Sequence, residues 1–168
     1  MAHYIRLLLT CITLAGCAAA AVAQDQIPRP QRDEQNQITV SPATAALIEQ
    51  AEAGDADAAN TVGFQYGNGL SVMQNDAEAL KWYRKAAELG SEEGMYHLAG
   101  VHENGYGVKQ DYQEAAKWYR KAAERGHAGA HYSLARLYEQ GQGVPKDLKQ
   151  SAEWRRKGEA LDLNPRDK

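Results

Sequence analysis

His127 and His131 stand four residues apart, the spacing that sets two imidazoles on one helix face where a divalent metal can take both. His97 and His102 offer further nitrogen donors in the neighbouring stretch. No carboxylate or cysteine completes a ligand set at a characteristic spacing, so no metal or other cofactor is expected. The histidines take structural places instead, His127 in an interhelix turn and His102 in a core column that carries tyrosine elsewhere. Trp82, Trp118 and Trp154 are suited to stacking on sugars or bases, but they recur in one helical column, as side chains do that pack one unit on the next. The glycine turns lack the Lys-Ser/Thr of a phosphate loop and do not follow a strand. With no Ser/His/Asp or Cys/His arrangement either, no residue is assigned as catalytic.

The elements that position these residues follow from a period. Leu80-Lys81-Trp82-Tyr83-Arg84-Lys85-Ala86-Ala87-Glu88 returns as Ala116-Lys117-Trp118-Tyr119-Arg120-Lys121-Ala122-Ala123-Glu124, and in altered form around Trp154, each time 36 residues on. A fixed period of that size means one supersecondary unit stacked on copies of itself, because a single unit cannot bury its own apolar face. In the same register Ala58, Val62, Gly63 and Tyr66 match Gly94, Leu98, Ala99 and His102, then Ala130, Leu134, Ala135 and Tyr138. Their spacing traces one stripe of an amphipathic helix, helix A. Turns at Gly67-Asn68-Gly69, Gly105-Tyr106-Gly107 and Gly141-Gln142-Gly143 reverse the chain. Helix B then starts at Asn75, Asp111 and Asp147, each three residues ahead of Glu78, Glu114 and Gln150, the arrangement of a reciprocal capping box. It ends at Gly90 and Gly126.

With Leu98-Ala99, Asn104-Gly105-Tyr106-Gly107-Val108, Asp111, Ala115-Ala116, Trp118-Tyr119 and Lys121-Ala122-Ala123-Glu124 at this period, the chain resembles the Sel-one-like repeat family, relatives of the tetratricopeptide repeat. The resemblance implies an all-α fold, a right-handed α/α superhelical solenoid of antiparallel helix pairs with helices A on the concave side. It spans residues 42–162 as three 36-residue repeats plus a leading half repeat, residues 42–53, that matches a helix B. In the third unit Arg155, Glu159 and Asp162 replace the Tyr119, Ala123 and Gly126 of the second, polar changes of the kind a terminal cap requires.

The ends read differently from the body. Arg6 precedes an apolar run over residues 7–14, and two cleavage signals follow within residues 1–23. Leu14-Ala15-Gly16-Cys17 resembles a bacterial lipobox, with Cys17 as the lipidated residue; Ala21-Val22-Ala23 before Gln24 is an ordinary signal-peptidase site. Both routes export the product, one as an outer-membrane lipoprotein facing the periplasm, the other as a soluble periplasmic protein. Residues 24–41, polar and carrying Pro28 and Pro30, read as a disordered linker, and residues 163–168 as a disordered tail. Cys11 and Cys17 both fall in the signal, so the folded part contains no cysteine and holds together by packing alone. A formal charge of −3 gives no electrostatic reason to bind nucleic acid.

Solenoids of this kind hold peptides on the concave side, so the expected function is a non-catalytic adaptor of the cell envelope. Placing Leu134, Ala135 and Tyr138 on the core stripe puts Tyr132, Arg136 and Glu139 on the opposite face, with Tyr96, Gly100, Glu103 and Asn104 as their counterparts in the second unit and Asn60, Phe64, Gly67 and Asn68 in the first. Tyr96, Glu103, Tyr132, Arg136 and Glu139 are the expected partner-binding residues, aromatics and charges together as at protein interfaces. The other readings are a structural subunit that assembles through the solenoid ends and a peptidoglycan-associated enzyme.

Overall fold

The computed structural model describes residues 31–32 and 38–162. Two-residue strands β1 (Gln31–Arg32) and β2 (Ile38–Thr39) pair antiparallel and lead into seven helices. These are α1 (Pro42–Glu52), α2 (Ala56–Asn68), α3 (Asp76–Glu88), α4 (Glu92–Asn104), α5 (Tyr112–Glu124), α6 (Ala128–Gln140) and α7 (Leu148–Asp162). Helices α2, α4 and α6 are the A helices of the three units, and α3, α5 and α7 their B helices. The half unit is α1, a B helix as its sequence implies. The expectations for Cys17, for cleavage before Gln24 and for the tail lie outside the described residues.

Each helix begins where a short polar side chain accepts the otherwise unbonded N–H groups of the first turn. Ser41, Asp55, Asn75, Ser91, Asp111 and His127 do this for α1 to α6, and Asp147 for α7. The B helices differ from the sequence expectation in one respect. The capping-box return bond is not made: the N–H groups of Asn75, Asp111 and Asp147 donate to the carbonyls of Tyr66, His102 and Tyr138 at 2.9, 2.8 and 2.9 Å. A carbonyl on the preceding A helix is the nearer acceptor, so the cap ties B to A, and Glu78 and Glu114 turn outward to Lys81 and Lys117.

The turn after α2 also differs. Its left-handed residue is Gly69 (φ 67°), matching Gly105 and Gly141, and Ser71 (φ 62°) holds the place of Gly107 and Gly143. Gly67 is not a turn residue; it lies inside α2, at the position of Glu103 in α4.

Every A helix packs on its own B helix and on the B helix before it, which makes a continuous stack. The A helices α2 and α4 also touch directly, as they do on the inner side of a curve. The core is narrow and rich in alanine, with Leu98, Leu134, Leu137 and Val62 fully buried between helices and Tyr83 and Tyr119 as the large plugs. The tryptophan column is graded rather than uniform. Trp82 is buried at 5% exposure, whereas Trp118 and Trp154 lie at the core margin under Lys121 and Lys157, whose ammonium groups sit 3.9 and 4.2 Å from the ring centres. Trp154 stands in the last described helix, and its indole nitrogen is buried without a partner among the described residues.

Candidate functional site

On the A-helix side the rings of three repeats meet. The Tyr83 ring lies flat on α2, where a methyl at Gly63 would come within 2.8 Å of it. His97 stacks on Tyr83 at 4.9 Å between ring centres and meets Tyr96 edge-on at 5.7 Å; Tyr96 stacks in turn on His127 at 4.2 Å. Phe64 stands at 6.3 Å from His97 and is exposed. Glu93 ties the row together, 2.8 Å from His127 Nε2 and 3.7 Å from His97 Nε2. Because His127 Nδ1 accepts the N–H of Ala130 as the cap of α6, the ring proton belongs on Nε2 and points at Glu93. Burial holds the His97 pKa below the ordinary imidazole value.

The histidine pair of the sequence does not converge. His131 turns into the core beside Trp154 and donates from Nδ1 to the His127 carbonyl. Among the described residues no group of three His, Cys, Asp or Glu side chains is arranged to hold a metal.

Three A/B seams carry equivalent pairs with different chemistry. In the second repeat the Tyr119 hydroxyl donates to Glu103 Oε2 at 2.7 Å, and Arg136 of α6 reaches the other oxygen at 2.5 Å. Burial, reinforced by Glu103, pushes the Tyr119 pKa up. In the third repeat Arg155 replaces the tyrosine and pairs with Glu139 at 3.1 Å. In the first, Tyr83 faces Gly67, and its pKa is pushed up to about 12 by burial alone. There a cleft of about 310 Å³ opens between α2, α3 and α4, floored by Tyr83 and rimmed by Asn68, Asp76, His97 and Asn104.

The five expected partner-binding residues therefore do not form one open row. Glu103 is buried at 9% exposure, not on the exposed face: the step of 100° per residue placed it outward, but the Tyr119 hydroxyl and Arg136 draw it into the seam. Arg136 stays half-exposed while bound to Glu103. Tyr132 donates to Asp162 at 2.6 Å and lies against Gly158, so it anchors α7; this hydrogen bond raises its pKa to about 12. Tyr96 is half-buried on His127. Sequence reasoning missed Tyr83 and His97 as site residues, although the change from Glu103 to Gly67 in an otherwise matched column was a readable sign of space beside Tyr83.

A family model described as the Sel1 repeat matches residues 56–91, 92–127 and 128–161. Among solved structures, a Sel1 repeat protein from Oxalobacter formigenes shares 36% identity and a TM-score of 0.65 over 74% of this chain and 93% of that one. The protein c5321, a protective antigen of uropathogenic Escherichia coli strains with an SLR fold, gives 36% and 0.68 over 70% of this chain but 25% of its own length. Helicobacter pylori cysteine rich protein B gives 26% and 0.56 over 73% and 93%. A comparison with curated proteins yields no match.

Proposed function

The chain belongs to the Sel1 repeat family, whose members are in general non-catalytic protein-interaction scaffolds, and from that premise we propose that it is an adaptor of the bacterial cell envelope that holds a partner protein or peptide on its A-helix face. The open cleft between the first two repeats carries this reading. It combines ring faces, amide groups and one carboxylate in a concavity on that side of the stack, the mixture by which solenoids grip extended chains. Tyr96 and Phe64 flank the cleft as aromatic contacts. Tyr132, Arg136 and Glu139, whose side chains bond within the stack, extend the same face with their exposed portions, while the buried Glu103 holds Arg136 in place from beneath.

The envelope setting rests on the Leu14-Ala15-Gly16-Cys17 motif and on the alternative cleavage before Gln24. In the first case lipid on Cys17 anchors the stack to the outer membrane; in the second it is free in the periplasm. Mass spectrometry of the mature amino terminus distinguishes the two, and retention of Met1 on the cell's own product would overturn export.

The interaction reading is tested with a photo-crosslinking amino acid at Asn68, at Asn104 or at Lys117, the last on the outer surface of α5. A discrete partner cross-linked from Asn68 and Asn104 but not from Lys117 supports it. Cross-linking from Lys117 alone moves the interface to the B helices and overturns it.

A further inference from the structure

The interaction reading leaves the chemistry of the partner open, and the unequal seams narrow it. In the second repeat the space over Tyr119 is closed by two side chains, the Glu103 carboxylate on its hydroxyl and the Arg136 guanidinium on that carboxylate. Over Tyr83 both are missing, for Gly67 stands at the place of Glu103 and Gly100 at the place of Arg136. Tyr83 is 6% exposed, yet its hydroxyl has no hydrogen-bond partner among the described residues and faces the cleft. The hydroxyl is not enclosed, so it is open to water and to any polar group that enters the cleft, and a ligand group can take the place of that water.

The walls say which group. No lysine or arginine lines the cleft. Asn68 and Asn104 each donate a side-chain N–H to a carbonyl of their own helix, Phe64 at 2.9 Å and Gly100 at 2.8 Å, so their carbonyl oxygens remain as acceptors. Asp76 adds a carboxylate with no cationic partner among the described residues, and the stacked Tyr83 and His97 rings add π surface. An acceptor-rich, aromatic pocket with one net negative charge disfavours a carboxylate and suits a flat cation carrying several donors.

We propose that the cleft between the first and second repeats binds an arginine side chain of a partner peptide laid along the A-helix face, with Asp76, Asn68 and Asn104 as its acceptors. This deepens the interaction reading and rests on it. The contact of Arg136 with Glu103 is the chain's own, permanently closed counterpart one repeat further on.

The test uses the full chain and three short synthetic peptides that differ only in one central residue: arginine, its neutral isostere citrulline, or glutamate. Side-chain amide signals of Asn68 and Asn104 and ring signals of His97 are followed by NMR. The arginine peptide is expected to shift them saturably, with citrulline weaker by about tenfold or more and glutamate without effect. Two variants locate the site. Gly67→Glu with Gly100→Arg grafts the closed seam onto the open one; added Cβ atoms there meet their neighbours at 3.6 to 3.8 Å, ordinary contact, so the variant is expected to fold and to lose the response. Asp76→Asn, at a partly exposed position where the asparagine keeps an acceptor for Gln74, is expected to weaken it with little change in melting. Equal response to citrulline or glutamate, no saturable shift at these residues, or undiminished binding by the Asp76 variant overturns the proposal. If cross-linking from Asn68 and Asn104 persists in that event, only the arginine assignment is lost. If it does not, the interaction reading falls with it.

Discussion

The Tyr119 hydroxyl donates a hydrogen bond to Glu103 at 2.7 Å, and this bond joins helix B of the second repeat to helix A while both groups are out of water. Glu103→Ala strands the hydroxyl and is expected to cost about 1 to 3 kcal/mol. Glu103→Gln keeps an acceptor for Tyr119 and is expected to lose less. Chemical denaturation of both variants checks the order; an alanine variant as stable as wild type would mean that the seam is not held by this bond.

The graded tryptophan column separates two substitutions that the repeat pattern alone makes equivalent. Trp82→Ala removes a fully enclosed indole and is expected to cost about 3 to 5 kcal/mol. Trp118→Ala removes a ring that is only partly covered, packed on the core margin beneath Lys121, and is expected to cost less. Urea unfolding midpoints of the two variants measure the difference.

Stability is expected to fall on mild acidification because of His97. Burial among Tyr83, Tyr96 and Phe64 lowers its pKa below 6.5, with Glu93 opposing that shift and His127 adding to it. Between the folded and unfolded values the unfolded chain binds more protons, so stability rises with pH in that window and declines as pH drops below about 6.5. Asp111 and Glu114 have lowered pKa values, so their contribution is lost only below the ordinary carboxylate range. Melting temperatures from neutral to mildly acidic pH are therefore expected to slope for wild type and to flatten for His97→Gln.

Tyr132 fastens the last helix. Tyr132→Phe removes the bond to Asp162 and keeps the ring on Gly158, so amide exchange is expected to quicken in the last turns of α7 and to stay unchanged in α4. Tyr132→Ala extends the effect along α7. A change confined to partner binding, with exchange untouched, would mean that the ring is a surface contact only.

The period of 36 made the stack legible, since fixed columns of small, aromatic and glycine residues leave one way to fold and pack. The helix B caps were readable at Asn75, Asp111 and Asp147, but the fate of their N–H groups was not, because the competing carbonyls of Tyr66, His102 and Tyr138 arrive from another helix. The site was legible as a face and misread in its members. Helical periodicity assigns a direction to Glu103 but cannot register that a tyrosine hydroxyl 16 residues away will pull it inward. Nor does it show that Tyr132 is claimed by Asp162, or that absent side chains at Gly67 and Gly100 leave space.

Gly107 and Gly143 follow the turns with φ of 66° and 70°, and each is pressed against the opening turn of the preceding B helix. A Cβ at Gly107 would stand 2.7 Å from the Asp76 carbonyl oxygen, and one at Gly143 2.1 Å from that of Tyr112. The loop of each later repeat is thus seated on backbone belonging to the repeat before it, whereas the first loop carries Ser71 at the same place. Neighbouring repeats are coupled at two points, through the helix faces and through this seat, so loosening one loop releases part of the unit behind it. Strong coupling between neighbours turns a row of small units into a single cooperative body, one that melts in one transition instead of fraying repeat by repeat.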